Sequence, residues 1–418
     1  MKSKLFLLFV LAVCFAFAAR AEFRFPMPEF ESGYQHPQTN APTPSLSPAA
    51  VDIAVLTAAL SVAAWAVIWK RSRRIVLLLT LFSVGYFGFY RHGCVCSVGS
   101  MQNVIAALLD RGAGLPIVVI AFFFLPILFA FYFGRVFCAA VCPLGGVQEI
   151  AAVFPVRLPR PLEAVLGLLP YAYLGVTILS MIMGAGFMIC RYDPFVGFFR
   201  RGASFNMLIF GGLLLLLGVF VARPYCRFLC PYGVLLRWAS RLARWRATVT
   251  PSECIKCRLC ETSCPYGAIL IPEPEAQVEN RRVGVKRLAK LLLLAPVIIV
   301  VSAIAGGAAH GYVARMHPTV RLAERVFAEE QGRFAERSVE SDAYRAGNRS
   351  VEDLYAAAND LKRRYKYGSA WLGGFMGLVV CAKLIRLSVV RRSEDYVPDA
   401  GACVSCARCF AYCPVEKE

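Results

Sequence analysis

Charged residues are scarce in this 418-residue chain: Asp, Glu, Lys and Arg make up 17% of it and hydrophobic residues 58%. With a mean hydropathy of +0.57, that balance excludes an ordinary soluble globular protein, and the apolar runs are long enough to span lipid. Acidic residues are the scarcer sign, 27 against 46 Lys and Arg, which leaves a net charge of +19. In a soluble chain such an excess would suggest nucleic acid as a partner. Here the basic residues gather at the ends of apolar spans, as at Lys70, Arg71, Arg73 and Arg74, or Arg237, Arg241, Arg244 and Arg246. That is the pattern of cytoplasmic membrane flanks, so the lipid bilayer is the expected partner and no nucleic acid is. Histidine is rare, four in all, whereas cysteine reaches 17. A chain this long is not a small disulfide-stapled secreted domain, so the cysteines point to metal.

Residues 1–21 combine a basic start, a short apolar core and an Ala19-Arg20-Ala21 cleavage site, as a secretory signal does. Cys14, inside that core, is a spectator. Residues 22–50 are Pro-rich and polar, an extended outer arm. Seven later stretches approach the roughly 20 apolar residues that cross a bilayer: 51–69, 75–90, 115–133, 164–188, 205–221, 288–309 and 370–390. Placing the first outside-to-inside puts most basic clusters in the cytoplasm, with Arg200 and Arg201 the main exceptions. The fold class expected is an all-α polytopic membrane protein of the bacterial inner membrane, pseudo-repeated, with about seven transmembrane helices. Its expected parts are a five-helix core at 51–247, a cytoplasmic segment at 248–286, a span at 287–309, an outer helical insertion at 310–369, a span at 370–392 and a cytoplasmic tail at 393–418. Within the insertion, Val320, Ala323 and Phe327, then Leu354, Ala357, Ala358 and Leu361, have helical spacing, and Ser350 with Asp353 forms a capping box. These two helices could dock a periplasmic partner or simply pack on each other.

Cys254, Cys257, Cys260 and Cys264 stand in ECIKCRLCETSCPYGAI, and Cys403, Cys406, Cys409 and Cys413 repeat the spacing in ACVSCARCFAYCPVEKE. Three thiolates two residues apart let one short loop wrap several irons of a cubane, and the proline after the last cysteine turns the chain away. A structural zinc site normally uses two separated pairs. Two further pairs, Cys138 with Cys142 in GRVFCAAVCPLGG and Cys226 with Cys230 in ARPYCRFLCPYGV, each read CxxxCPxG after an apolar helix. A CxxxC alone is weak, because positions i and i+4 share a helix face for many reasons; its repetition with the same Pro and Gly points to ligands of one further iron-sulfur centre in the membrane part, or to an extension of the ferredoxin pair. Each pair is preceded by another cysteine segment, HGCVCSVGS with Cys94 and Cys96, and MICRYDPFVG with Cys190, so the unit is duplicated. Together with His92 those three cysteines could hold an outer centre, form a disulfide or stay thiols. Cys381 is a small apolar filler, and His310 and His317 flank the outer end of the sixth span, where haem ligation or quinone contact competes with simple interfacial hydrogen bonding.

The two four-cysteine runs resemble the halves of a bacterial two-cluster ferredoxin split by a transmembrane hairpin. In such ferredoxins the fourth cysteine of each run ligates the other cluster, which implies Cys254, Cys257, Cys260 and Cys413 for one [4Fe-4S] centre and Cys403, Cys406, Cys409 and Cys264 for the other. The whole set, over residues 75–414, resembles the NosR/NapH family of membrane polyferredoxins. That resemblance implies an electron conduit between the quinone pool or a ferredoxin-like cytoplasmic carrier and a periplasmic flavoprotein or reductase, as in nitrous oxide respiration, with redox centres at Cys138, Cys142, Cys226, Cys230 and the eight ferredoxin cysteines. The short outer arm is too small for the flavin domain of NosR, so no covalent flavin is expected. Copper-handling polyferredoxins, a membrane reductase of a metal ion or quinone, and a non-redox zinc scaffold are the competing readings.

Overall fold

A computed structural model of the protein describes residues 46–415 apart from 94–95, 110–114, 188, 190–191, 250–253, 273–280, 335, 348–349 and 389–394. The expected signal, nearly all of the Pro-rich arm, Cys14, Cys94 and Cys190 therefore lie outside the described residues. The described chain is mostly helical. It begins with α1 (Leu46–Ile68) and α2 (Arg73–Ser83), the latter continuing as a π-helical stretch over Val84–Tyr90. Next come α3 (Ser97–Leu109), α4 (Ile117–Phe133), a second π-helical stretch at Phe137–Val141 and α5 (Pro143–Ala151). Then follow α6 (Leu169–Ile182), α7 (Pro194–Arg200), α8 (Phe205–Phe220), α9 (Pro224–Phe228) and α10 (Tyr232–Ser240). The last long elements are α11 (Arg281–Ala308), α12 (Pro318–Glu330) and α13 (Val351–Ser388).

Among the described residues five helices are long and apolar enough to cross a membrane, or six if the bent pair α7 and α8 is one span. The expected third stretch forms α4, whose 17 residues reach about 25 Å at 1.5 Å per residue. The expected fifth stretch forms α8, which meets α7 at 113°. Arg201 in the left-handed region and Gly197 packed on Ala203 make that corner. The expected second amphipathic helix and last span are one continuous helix, α13, of 38 residues. Its length of about 57 Å exceeds the roughly 30 Å hydrocarbon thickness, so one part must project beyond it. The capping expected at its start is present: the Asp353 amide donates to Ser350 Oγ at 3.1 Å.

Leu56, Leu60, Phe87, Phe122, Phe137, Leu144 and Tyr232 form the main core between α1, α4 and the cysteine-bearing segments. A second cluster joins Val320, Ala323 and Val326 of α12 to Leu354, Ala358 and Tyr365 of α13 and Leu179 of α6, so the helical insertion packs on itself and on the bundle. His317 caps α12, accepting the Thr319 amide at 3.2 Å, and His310 Nδ1 contacts Gly307 O at 2.7 Å. Both imidazoles thus make local hydrogen bonds to their own helix ends. Cys381 is buried against α11, as a filler would be.

α11 and α13 pack as a close pair. A Cβ on Gly373 would stand 3.0 Å from the Ser302 carbonyl carbon and 3.1 Å from Gly306 Cα. Small residues let the two backbones touch, as in membrane helix pairs generally. The pair brings together the chain before α11 and the chain after α13: Arg287 Nε donates to Ser388 Oγ at 2.9 Å. There β1 (Ile269–Leu270) pairs antiparallel with β2 (Val397–Pro398), Ile269 opposite Pro398 and Leu270 opposite Val397. Two cysteine runs about 150 residues apart in sequence thus become one small module.

Candidate iron-sulfur sites

In the two runs the backbone repeats residue by residue. Lys256 and Arg258 have φ of 52° and 63°, and Ser405 and Ala407, at the equivalent positions, have 56° and 60°. A non-glycine residue in the left-handed region costs free energy, and here four occur at matched places, curling each loop so that its thiols face inward. One cavity is lined by Cys254, Cys257, Cys260 and Cys413. A second is lined by Cys264, Cys403, Cys406 and Cys409. The fourth cysteine of each run thus faces the other run's cavity, the crossed arrangement that the ferredoxin resemblance implies. Among the described residues no three Cys, His, Asp or Glu converge as ligands of a single ion. The all-cysteine donor set and the lack of a single point of convergence fit a cluster of several irons better than a tetrahedral zinc, whose sulfurs would all lie about 2.3 Å from one point. Desolvation, with the nearby Cys406 and Cys264, pushes the Cys403 thiol up to about 12, so ligation there must displace protons.

The CxxxCP pairs depart from expectation in depth and shape. They do not lie on one helix face at a span's end. Cys142 is extended, with φ −74° and ψ 116°, and forms the N-cap of α5. Cys230 stands one residue before Pro231, the N-cap of α10. The Gly233 amide, three residues on, donates to Cys230 Sγ at 3.4 Å. Helix N-termini favour a thiolate. Tyr232 Oη donates to Phe123 O at 2.7 Å, and Trp245 N to Tyr132 O at 2.9 Å. Since Phe123 lies ten residues before the end of α4, the Tyr232 hydroxyl meets that helix about 15 Å from its C-terminus. After each apolar helix the chain therefore turns back into the bundle, carrying the second cysteine deep and leaving the first nearer the ferredoxin-like module.

Cys138 and Cys226 line a cavity with Arg135, Arg223, Arg227, Arg237, Glu163 and Tyr266. Cys142 lines another with Cys96, Phe87, Phe122 and Phe137. Cys138, Cys142, Cys226 and Cys230 all pack against the main core, and Gly145, three residues after Cys142, lies beside Cys138 O and Cys226 Sγ, so the structure brings the four thiols of the two pairs into one neighbourhood. Cys96 is beside that neighbourhood, a juxtaposition the outer-face expectation did not contain. The cavities adjoin: Val249 lines both ferredoxin-type cavities, Tyr266 and Val404 line both the second of these and the Cys138 cavity, and residues 138–142 link that cavity to the one at Cys96.

Sequence reasoning missed the polar groups around these thiols. Gln148, fully buried on α5, donates to Cys226 Sγ at 3.3 Å and accepts the Tyr225 amide at 2.9 Å. Arg135 Nη2 lies 3.9 Å from Cys138 Sγ. Glu149 pairs with Arg73, Arg223 and Arg408, the last at 2.8 Å. Burying a lone carboxylate is costly, and the three guanidiniums offset that cost. The available signal was a Gln-Glu step directly after CPLGGV in an otherwise apolar stretch, where a charge is costly without a role.

A family model described as a 4Fe-4S binding domain matches residues 115–161 and 203–249, the two CxxxCP units, and a second of the same description matches 247–270, the first four-cysteine run. The chain is 31% identical to MJ0750 of Methanocaldococcus jannaschii over 199 residues, 44% of this chain and 79% of that one. It is 28% identical to protein NirI of Paracoccus denitrificans over 216 residues, 48% of this chain and 32% of NirI. With the methylamine utilization ferredoxin-type protein MauN of Methylobacillus flagellatus it shares 26% over 224 residues, 49% of this chain and 78% of MauN. The match to NirI thus covers about a third of that protein. No solved structure matches the chain.

Motifs, helices and relatives together define a multi-pass membrane protein with 4Fe-4S binding domains. Within that class the chain belongs to the NosR/NapH-type membrane polyferredoxins.

Proposed function

We propose that the protein is an inner-membrane electron relay, with its ferredoxin-like module in the cytoplasm, exchanging electrons with a cytoplasmic carrier or the quinone pool and delivering them toward a periplasmic flavoprotein or reductase. Two [4Fe-4S] clusters are held in crossed fashion, one by Cys254, Cys257, Cys260 and Cys413 and the other by Cys264, Cys403, Cys406 and Cys409. A third iron-sulfur centre belongs to Cys138, Cys142, Cys226 and Cys230. The observation that carries this reading is the run of adjoining cysteine-lined cavities from the module into the bundle. Such clusters, when bound, supply one-electron steps at potentials set by charge, hydrogen bonds to sulfur and exposure.

What the chain's own residues contribute is position and field. The re-entrant segments carry cysteines into the bundle, which a hydrocarbon layer of about 30 Å demands if charge is to cross. Arg135 and Gln148 put donors beside Cys138 and Cys226, and donors at sulfur favour the reduced, more negative state. The test is iron and acid-labile sulfide analysis with low-temperature EPR on anaerobically purified protein, together with Cys413→Ser and Cys264→Ser. Cys413→Ser should alter the signal of the centre wrapped by the first run, and Cys264→Ser that of the centre wrapped by the second. Zinc in place of iron, or each substitution affecting only its own run's centre, would overturn the proposal.

A further inference from the structure

One carboxylate ties the membrane cysteine site to the nearer ferredoxin-type site. Glu149 is 4% exposed and stands at the meeting point of three arginines from distant parts of the chain. Arg223 reaches it at 2.8 Å, and the same guanidinium donates to the backbone oxygens of Cys138 and of Ala139, the latter at 2.9 Å. Arg73 also binds it, and donates to Cys406 O at 2.6 Å. Arg408, between Cys406 and Cys409, reaches it at 2.8 and 3.0 Å. Tyr266, two residues after Cys264, places its hydroxyl 3.5 Å away.

Every partner is therefore fastened to, or adjacent to, a proposed ligand of one of two centres. A purely structural lock would not need its cations to end on the peptides of cysteines. With Glu149 ionised, three positive charges and one negative leave two positive charges between the sites. Each centre becomes more negative by one charge on reduction, so it senses that balance. Burial lowers the effective dielectric and makes the balance felt at both.

Resting on the reading that Cys138, Cys142, Cys226 and Cys230 hold a centre, we infer that Glu149 is a positioning residue that sets the reduction potentials of that centre and of the Cys264, Cys403, Cys406, Cys409 centre together. Its carboxylate fixes where the three guanidiniums point and offsets part of their charge. Because the same group acts on both neighbours, their potentials stay matched, and the centre at Cys254, Cys257, Cys260 and Cys413, farther off, is affected less.

The experiment is potentiometric EPR titration of the full-length protein, native and with Glu149→Gln or Glu149→Asp, with iron counted on every sample. Glu149→Gln removes the negative charge at nearly constant shape: the potentials of the two flanking centres should both rise, that of the far centre should move less, and iron per chain should be retained. Glu149→Asp keeps the charge and should return both potentials toward the native values. If Glu149→Gln does not accumulate, Arg408→Gln serves, and the same two potentials should fall. The inference is overturned by unchanged potentials in a fully loaded variant, by equal shifts in all three centres, or by Glu149→Asp behaving as Glu149→Gln does. Iron on the native protein decides the underlying reading separately: a missing third centre removes that reading, whereas a third centre indifferent to Glu149 removes this one.

Discussion

Substituting Gly373 by alanine should weaken the contact between α11 and α13, the pair that joins the two halves of the ferredoxin-like module. The new Cβ would lie 3.0 Å from the Ser302 carbonyl carbon and 3.1 Å from Gly306 Cα, with the Ser302 carbonyl oxygen closer still. These are backbone atoms and cannot rotate aside. Carbon atoms prefer about 3.5–4.0 Å, so the helices must part by roughly 0.5–1 Å, and overpacking of that kind costs about 1–3 kcal/mol. The neighbouring residue provides the control. A Cβ on Gly374 would meet only Ala303 Cβ, at an ordinary 3.7 Å, and exchanging Gly for Ala inside a helix is favourable by up to about 1 kcal/mol. In denaturant unfolding of the detergent-solubilised protein, Gly373→Ala should shift the midpoint down and Gly374→Ala should leave it level or raise it. Iron per chain in Gly373→Ala should fall at lower denaturant than in the native protein, because the module's two halves depend on the pair. Equal midpoints for the two variants would refute the argument from backbone contact.

Two further outcomes are expected. Gly145→Val should damage the membrane centre alone, since even the first added carbon would stand 3.2 Å from Cys138 O and 3.6 Å from Cys226 Sγ; iron should drop by that centre's share while both ferredoxin-type EPR signals persist, and an unchanged iron count would contradict the assignment. In the helical insertion, desolvation pushes the Glu329 carboxyl up, but the Ser341 hydroxyl, the Ser338 amide and Arg325 hold it down to about 2. A depressed carboxyl stabilises above its unfolded value of about 4.5 and the stabilisation is lost as pH falls toward 2. Hydrogen-exchange protection over residues 338–346, corrected for intrinsic rates, should therefore decline across that window in the native chain and show no such decline in Glu329→Gln.

The cysteine spacings were legible because ligand chemistry is local: a loop that wraps a cubane needs three thiols two residues apart whatever surrounds it. The duplication was legible for the same reason, as Pro and Gly recur after Cys142 and Cys230. Apolar length located most of the membrane-crossing helices. It placed α4 and α8 but not the bend between α7 and α8, because composition records how oily a segment is and not whether the backbone turns at Gly197 and Arg201. It also divided α13 in two, since a change from amphipathic to wholly apolar surroundings alters side chains while the helix itself runs on.

Hydropathy, charge and the repeated cysteine motifs by themselves determined that this chain is a membrane protein carrying iron-sulfur ligands on a duplicated helical frame. Only the tertiary structure decided the depth of Cys142 and Cys230, the placing of Cys96 beside Cys142, and the convergence of Arg73, Arg223 and Arg408 on Glu149. The physical reason is range. Ligand loops and apolar spans are set by residues a few positions apart, whereas re-entrant depth and buried charge pairing depend on groups up to about 260 positions apart, as Glu149 and Arg408 are, and these meet only once the bundle has closed.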